Sequence, residues 1–229
     1  AMMKMTLALL DDEEKASEKK EDEPKEDGEK KDDAEADKEA DKVAEKKPTK
    51  PQGPMIDGMP ESFVGPLVAH LVAHEVGHTL GLRHNFKGSN RYSMSEVNSD
   101  KVKGKEQLST TVMDYIAANI NMGSGDVQGD WCMPSIGPYD MWAIEYGYGF
   151  GDLKKVLAKC TDPDLDFGTD EDTAGPDPFA RRYDFSKDPL DFAKNQVRLS
   201  KHHRDRLLTD FIKDGDSWEE LGISGAETV

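Results

Sequence analysis

Apolar residues are spread unevenly along this chain, and their spacing sets out its organisation before any chemistry is considered. Residues 1–10, "AMMKMTLALL", read as a short helix-like piece. Residues 11–50 are almost wholly Asp, Glu, Lys and Ala, with Pro24 and Gly28 interrupting any long helix. Such a stretch has too little apolar surface to offset an ordering entropy of roughly 1–2 kcal/mol per residue, so 11–60 is expected to be a disordered charged insertion followed by a linker. The linker "KPTKPQGPMIDGMP" carries the prolines and glycines that break regular structure. Residues 61–229 are expected to form the ordered region, with a helical C-terminal subdomain.

Within that region Ala69, Val72, Ala73, Val76 and Leu80 recur at three- and four-residue intervals, which predicts a helix from Pro66 with that stripe buried. Gly65 and Pro66 suit its N-cap and first turn, and Gly81 suits its end. Residues 86–110 lack periodicity and read as a surface loop, closed by the apolar "TTVMDYIAANI". "GPYDMWAIEYGYG" predicts a helix with Pro138 in its first turn, and "GDLKKVLAKC" a second. An acidic loop, 161–178, leads to an amphipathic helix or helix pair. Its apolar positions are Leu190, Phe192, Val197, Leu199, Leu207, Leu208, Phe211 and Ile212. Few runs look like strands.

Charge narrows the function. The chain has 229 residues and a formal net charge of −17, which opposes binding to nucleic acid phosphates or anionic membrane surfaces. No run approaches the ~20 apolar residues of a membrane span, so no transmembrane segment is expected. Cys132 and Cys160 permit one disulfide in an oxidising compartment without specifying it.

The candidate chemistry lies in "AHEVGHTLGLRHN", residues 73–85. Residues four apart share one helix face, so His74 and His78 can offer two nitrogens to one ion. A tetrahedral zinc site needs a ligand from outside the helix. Gly81 can take the left-handed conformation that stops the helix and lets the chain carry His84 back to the same ion. Three histidines leave one zinc position for water, whose pKa the ion lowers from about 15.7 towards 7. Glu75, about 100° around the helix from His74, is placed to take that water's proton rather than to compete as a ligand. His70 precedes His74 by one turn but has no glutamate after it, and reads as a neighbour of the site.

The spacing HExxHxxGxxH in "HEVGHTLGLRH" resembles the metzincin metallopeptidases. "TTVMDY" is similar to that family's methionine-containing Met-turn, which implies that Met113 forms an apolar floor under the histidines. Tyr115 matches the place of a tyrosine that, in some branches, approaches zinc and stabilises the oxyanion. The closer resemblance is to bacterial zinc-dependent metalloproteases with a Met-zincin domain. It is carried by "AHEVGHTLGLRHNF", "STTVMDY", "IGPYDMWAIEYGY" and "TDEDTAGPDP" in the same order. The resemblance implies an α+β metzincin-like catalytic domain, a protein or peptide substrate, and a secreted or cell-envelope location. Metzincin domains set a twisted sheet before the active-site helix. This chain shows no such sheet upstream of Pro66, so it is expected to be mostly α with little sheet, the sheet lying ahead of Ala1 in a longer parent.

Other clusters carry weaker signals. "DPDLDFG" resembles the start of an EF-hand loop, with Asp162, Asp164 and Asp166 as calcium candidates. Phe167 stands where glycine is needed, however, and Thr173 where the closing Glu belongs. Tyr139, Trp142 and Tyr146 share a helix face and are expected to pack. His202 and His203 diverge and are expected to be solvated. The sequence thus points to a zinc endopeptidase using His74, His78, His84 and Glu75. The alternatives are a non-catalytic zinc-stabilised binding or scaffold domain, and a hydrolase of non-peptide amides.

Overall fold

A computed structural model describes residues 53–207 together with Gly215 and Ser217. The expectations for residues 1–10 and 11–52, and for Leu208, Phe211 and Ile212, lie outside the described residues. Regular structure is almost wholly helical, with a two-stranded antiparallel sheet, β1 (Met55–Ile56) and β2 (Met59–Pro60). The hairpin falls in the predicted linker. Asp57 and Gly58 both take positive φ, which closes so tight a turn.

The first helix, α1 (Glu61–Thr79), begins one and a half turns before the predicted start. The Glu61 N–H donates to the Pro54 carbonyl at 2.9 Å, so the hairpin leads straight into the helix. Pro66 therefore sits inside α1 rather than in its first turn; it removes a single backbone donor, the one that would reach Ser62. The predicted buried stripe is also corrected. Val72, Val76 and Leu80 are exposed, and the inward line runs through Phe63, Leu67, His70, His74 and Gly77. The helix is apolar on two sides, and periodicity could not tell which side meets the body.

The remaining helices are α2 (Met94–Val97), α3 (Pro138–Tyr148), α4 (Leu153–Leu157) and α5 (Pro189–Arg206). Pro138 opens α3 and Asp152 caps α4 by accepting from Lys154 N–H, as their sequences imply. The core lies between α1 and the long loops. Met94, Val97, Val102, Leu108, Val112, Met113, Met133 and Phe185 form it, with Ala73 of α1 and Leu82 just past the helix end packed against it.

Helix α5 docks differently from its apolar pattern. Leu190 and Val197 are exposed, whereas Asn195 is fully buried. Its side chain donates to the Ile120 carbonyl (2.8 Å) and accepts from Met122 N–H (2.9 Å), tying the helix to a loop whose backbone needs partners. His202 and His203 are half-buried rather than solvated. Cys132 is buried and Cys160 exposed, and both are free, so the permitted disulfide is not formed. Among the described residues no helix is long and apolar enough to cross a membrane.

Candidate metal centre

Helix α1 stops in a way that builds the site. Gly81 has φ +88°, its N–H donates to the His78 carbonyl, and Leu82 N–H reaches back to Gly77 O, both at 3.0 Å. This paired closure is a Schellman motif, and it requires the left-handed residue that glycine adopts without a Cβ penalty. The reversed chain points the Leu82 carbonyl at His78 and returns His84 beside it.

Each imidazole is held by its Nδ1. His74 Nδ1 donates to the Val112 carbonyl at 2.7 Å, His78 Nδ1 to Leu82 O at 3.0 Å, and His84 Nδ1 to the Asp170 carboxylate at 2.9 Å. With Nδ1 protonated, each Nε2 presents a bare lone pair, the form a metal ligand needs. The three ligand atoms lie within 4.8 Å of one another. Two of them, His78 Nε2 and His84 Nε2, are 3.2 Å apart. Two lone pairs do not bond each other, but nitrogens about 2.0–2.1 Å from one tetrahedral ion stand roughly 3.4 Å apart, so the pair is spaced for zinc. His74, His78 and His84 can hold a metal ion.

Electrostatics agree with the donor set. Burial lowers the His74 pKa below the ordinary histidine range, against the opposing hydrogen bond to Val112. The hydrogen bond from His84, more than any charge, lowers the Asp170 pKa, and Arg182 at 2.7 Å also holds this carboxylate. Asp170 is therefore an ionised acceptor orienting His84.

A polar lattice fixes the turn beneath the helix. Met113 is fully buried, and a Cβ built on Gly77 would stand 2.3 Å from its sulfur. Glycine at 77 thus lets Met113 lie directly under the turn carrying His74 and His78. Asp140, at the third position of α3, accepts the Val112 and Gly137 N–H groups on one oxygen, each at 2.9 Å, and the Thr111 hydroxyl on the other. Burial raises its pKa, with these hydrogen bonds opposing. Asp140 thereby positions the Val112 carbonyl that holds His74.

A model of the Met-zincin family matches residues 57–228. The chain belongs to that family. No curated protein and no solved structure matches it. The mostly helical, sheet-poor Met-zincin body agrees with the fold expected from sequence.

The remaining Met-zincin residues singled out by sequence fall into two groups. Tyr115 places its hydroxyl 2.8 Å from His84 Nε2, and burial raises its pKa, so the phenol is a proton donor on the metal side of that ring. Glu75 and His74 line one cavity of about 380 Å³, with Tyr115 on its wall. The calcium candidates, by contrast, are engaged elsewhere: Asp164 pairs with Arg91 at 3.5 Å, Asp166 with Lys87 at 3.4 Å, and Asp162 caps a 3₁₀ turn. Tyr139 stacks on Phe167, and the Trp142 indole donates to the Val156 carbonyl, whereas Tyr146 is half-exposed.

Sequence reasoning missed Asp170 and Asp140. Asp170 lies in "TDEDTAGPDP", a block that carried the resemblance, but it is one acid among several there and nothing local singled it out. Asp140 had a local signal, its place three residues after Gly137 in "GPYD", where an N-terminal helix acceptor belongs.

Proposed function

We propose that this Met-zincin is a zinc endopeptidase whose metal is held by His74, His78 and His84, with Glu75 as general base. The observation that carries the reading is the convergence of three Nδ1-anchored histidines, one of which, His74, lines a cavity together with Glu75. Zinc bound there supplies a Lewis acid that polarises a carbonyl and brings the pKa of water towards 7. Glu75 takes a proton from the attacking water and delivers it to the leaving amine nitrogen. The Tyr115 hydroxyl, which lies 2.8 Å from His84 Nε2 when no metal claims that lone pair, would turn to the oxygen anion developing at the scissile carbonyl. Met113 keeps the floor apolar and the helix turn at a fixed height. Peptide substrates and an extracytoplasmic location belong to the same proposal and follow from the family likeness.

The test is digestion of an unfolded protein such as casein by the zinc-loaded chain beside Glu75→Gln, read by mass spectrometry together with zinc content. The reading expects both proteins to hold one zinc and only the wild type to cut. Zinc in both with cuts in neither would instead make the metal a stabiliser of a binding or scaffold domain.

A further inference from the structure

We propose that Tyr183 is a positioning residue for the reaction: it holds the Tyr115 ring in place beside the metal site. The proposal rests on the reading above, in which Tyr115 donates to the developing oxyanion.

The segment that carries Tyr183 is strained. Tyr183 takes φ +62° and Ser186 φ +98°. The left-handed region is a genuine outlier for a bulky residue, whose Cβ comes too close to a carbonyl oxygen, and it persists only where the surroundings fix it. Here they do so on both sides. Arg181 donates to the carbonyls of Thr173 at 2.6 Å and Gly175 at 3.1 Å, and Arg182 pairs with Asp170 at 2.7 Å. Beyond Tyr183, Asp184 accepts from the Ser89 hydroxyl at 3.4 Å and Phe185 is buried in the core.

The contacts of the strained residue converge on Tyr115. Its N–H donates to the Tyr115 carbonyl at 2.9 Å, and the two rings stack with centroids 5.7 Å apart and planes at 20°. That spacing is ordinary for an offset aromatic pair. Tyr183 therefore grips both the backbone and the ring of Tyr115. Packing of the fold does not account for the Tyr183 ring, which is 68% exposed, and glycine would take the same φ without strain. His74, His84 and Phe86 border the Tyr115 ring from the metal-site segment, and Tyr183 borders it from a loop far along the chain. Tyr115 needs such a hold, because a donor aimed before the reaction adds no reorganisation during it. Tyr183 also lines the cavity that His74 and Glu75 share, so a role as a plain substrate contact has to be told apart from positioning.

The test uses the zinc-loaded full chain and compares Tyr183→Gly, which suits the φ and loses the ring, with Tyr183→Phe, which keeps the ring. NMR relaxation of ring-labelled tyrosine, with Tyr115 assigned from Tyr115→Phe, should show the Tyr115 ring more mobile in the glycine variant and unchanged in the phenylalanine one. On a peptide substrate Tyr183→Gly should lower kcat by about 10–100-fold with KM little changed, and Tyr183→Phe should restore the rate. In a Tyr115→Phe background the glycine change should cost nothing further. Tyr183→Asn, whose side chain also tolerates this φ, serves as a second variant should glycine loosen the loop. A Tyr115 ring as rigid in the glycine and asparagine variants as in wild type overturns the positioning role whether or not peptides are cut. So does a raised KM with kcat unchanged, which makes Tyr183 a substrate contact. A freed Tyr115 ring with no cleavage by wild type overturns the peptidase reading and leaves the hold on Tyr115 standing.

Discussion

Replacing Asp140 tests how the site is held from below. In Asp140→Ala the N–H groups of Val112 and Gly137 lose their common acceptor, and the Thr111 hydroxyl loses a third bond. The hydroxyl can rotate, but the two backbone donors cannot leave a buried turn. At about 1–3 kcal/mol for each of the two stranded donors, the loss should come to roughly 2–6 kcal/mol, a large part of the ~5–15 kcal/mol that holds a typical domain. Asp140→Asn behaves differently because both backbone bonds end on one oxygen, which the amide carbonyl can replace while its NH₂ group faces Thr111; it should lose only about 1 kcal/mol. Urea unfolding of the metal-free proteins measures both. Zinc affinity should follow, since Val112 O would no longer be fixed against His74 Nδ1, and loss of such support weakens metal binding by about 10–100-fold. Equal stability losses in the alanine and asparagine variants, or an alanine variant within 1 kcal/mol of wild type by the scale of a single hydrogen bond, would refute the stapling argument.

Three further outcomes follow from the same geometry. Asp170→Ala removes the acceptor for His84 Nδ1 from a half-exposed position, so competition with a chelator should show zinc bound about 10–100-fold more weakly while the melting temperature of the metal-free chain barely moves. Gly77→Val drives a side chain into the Met113 sulfur and should destabilise the chain by about 2 kcal/mol in denaturant titration; an unchanged midpoint would mean that Met113 is not confined there. Asp114 is an acid whose folded pKa, raised chiefly by burial to about 8, lies above its unfolded value. The folded state therefore binds more protons, and this group's contribution to stability falls as pH rises from about 4 to about 8. Asp114→Asn should match wild type in melting temperature near pH 4 and exceed it increasingly towards pH 8; parallel profiles would sink the assignment.

What the sequence by itself determined is the histidine cluster that can hold a metal ion. His74, His78, Gly81 and His84 lie within one helix turn-and-stop, where covalent geometry and the 3.6-residue period leave little choice of where side chains go. The helix starts of α3 and α4 were legible for the same local reason. Tertiary structure decided which side of α1 is buried, because both sides are apolar and only the packing of Val112 and Met113 selects the histidine line. It also decided what orients each ring: one anchor, Leu82 O, is four residues from its histidine, but Val112 lies 38 residues from His74 and Asp170 lies 86 from His84. Asp114 shows the limit most clearly. Nothing in "TTVMDY" distinguishes it from a surface acid, and only the loops that fold over it give that carboxyl its burial and its raised pKa.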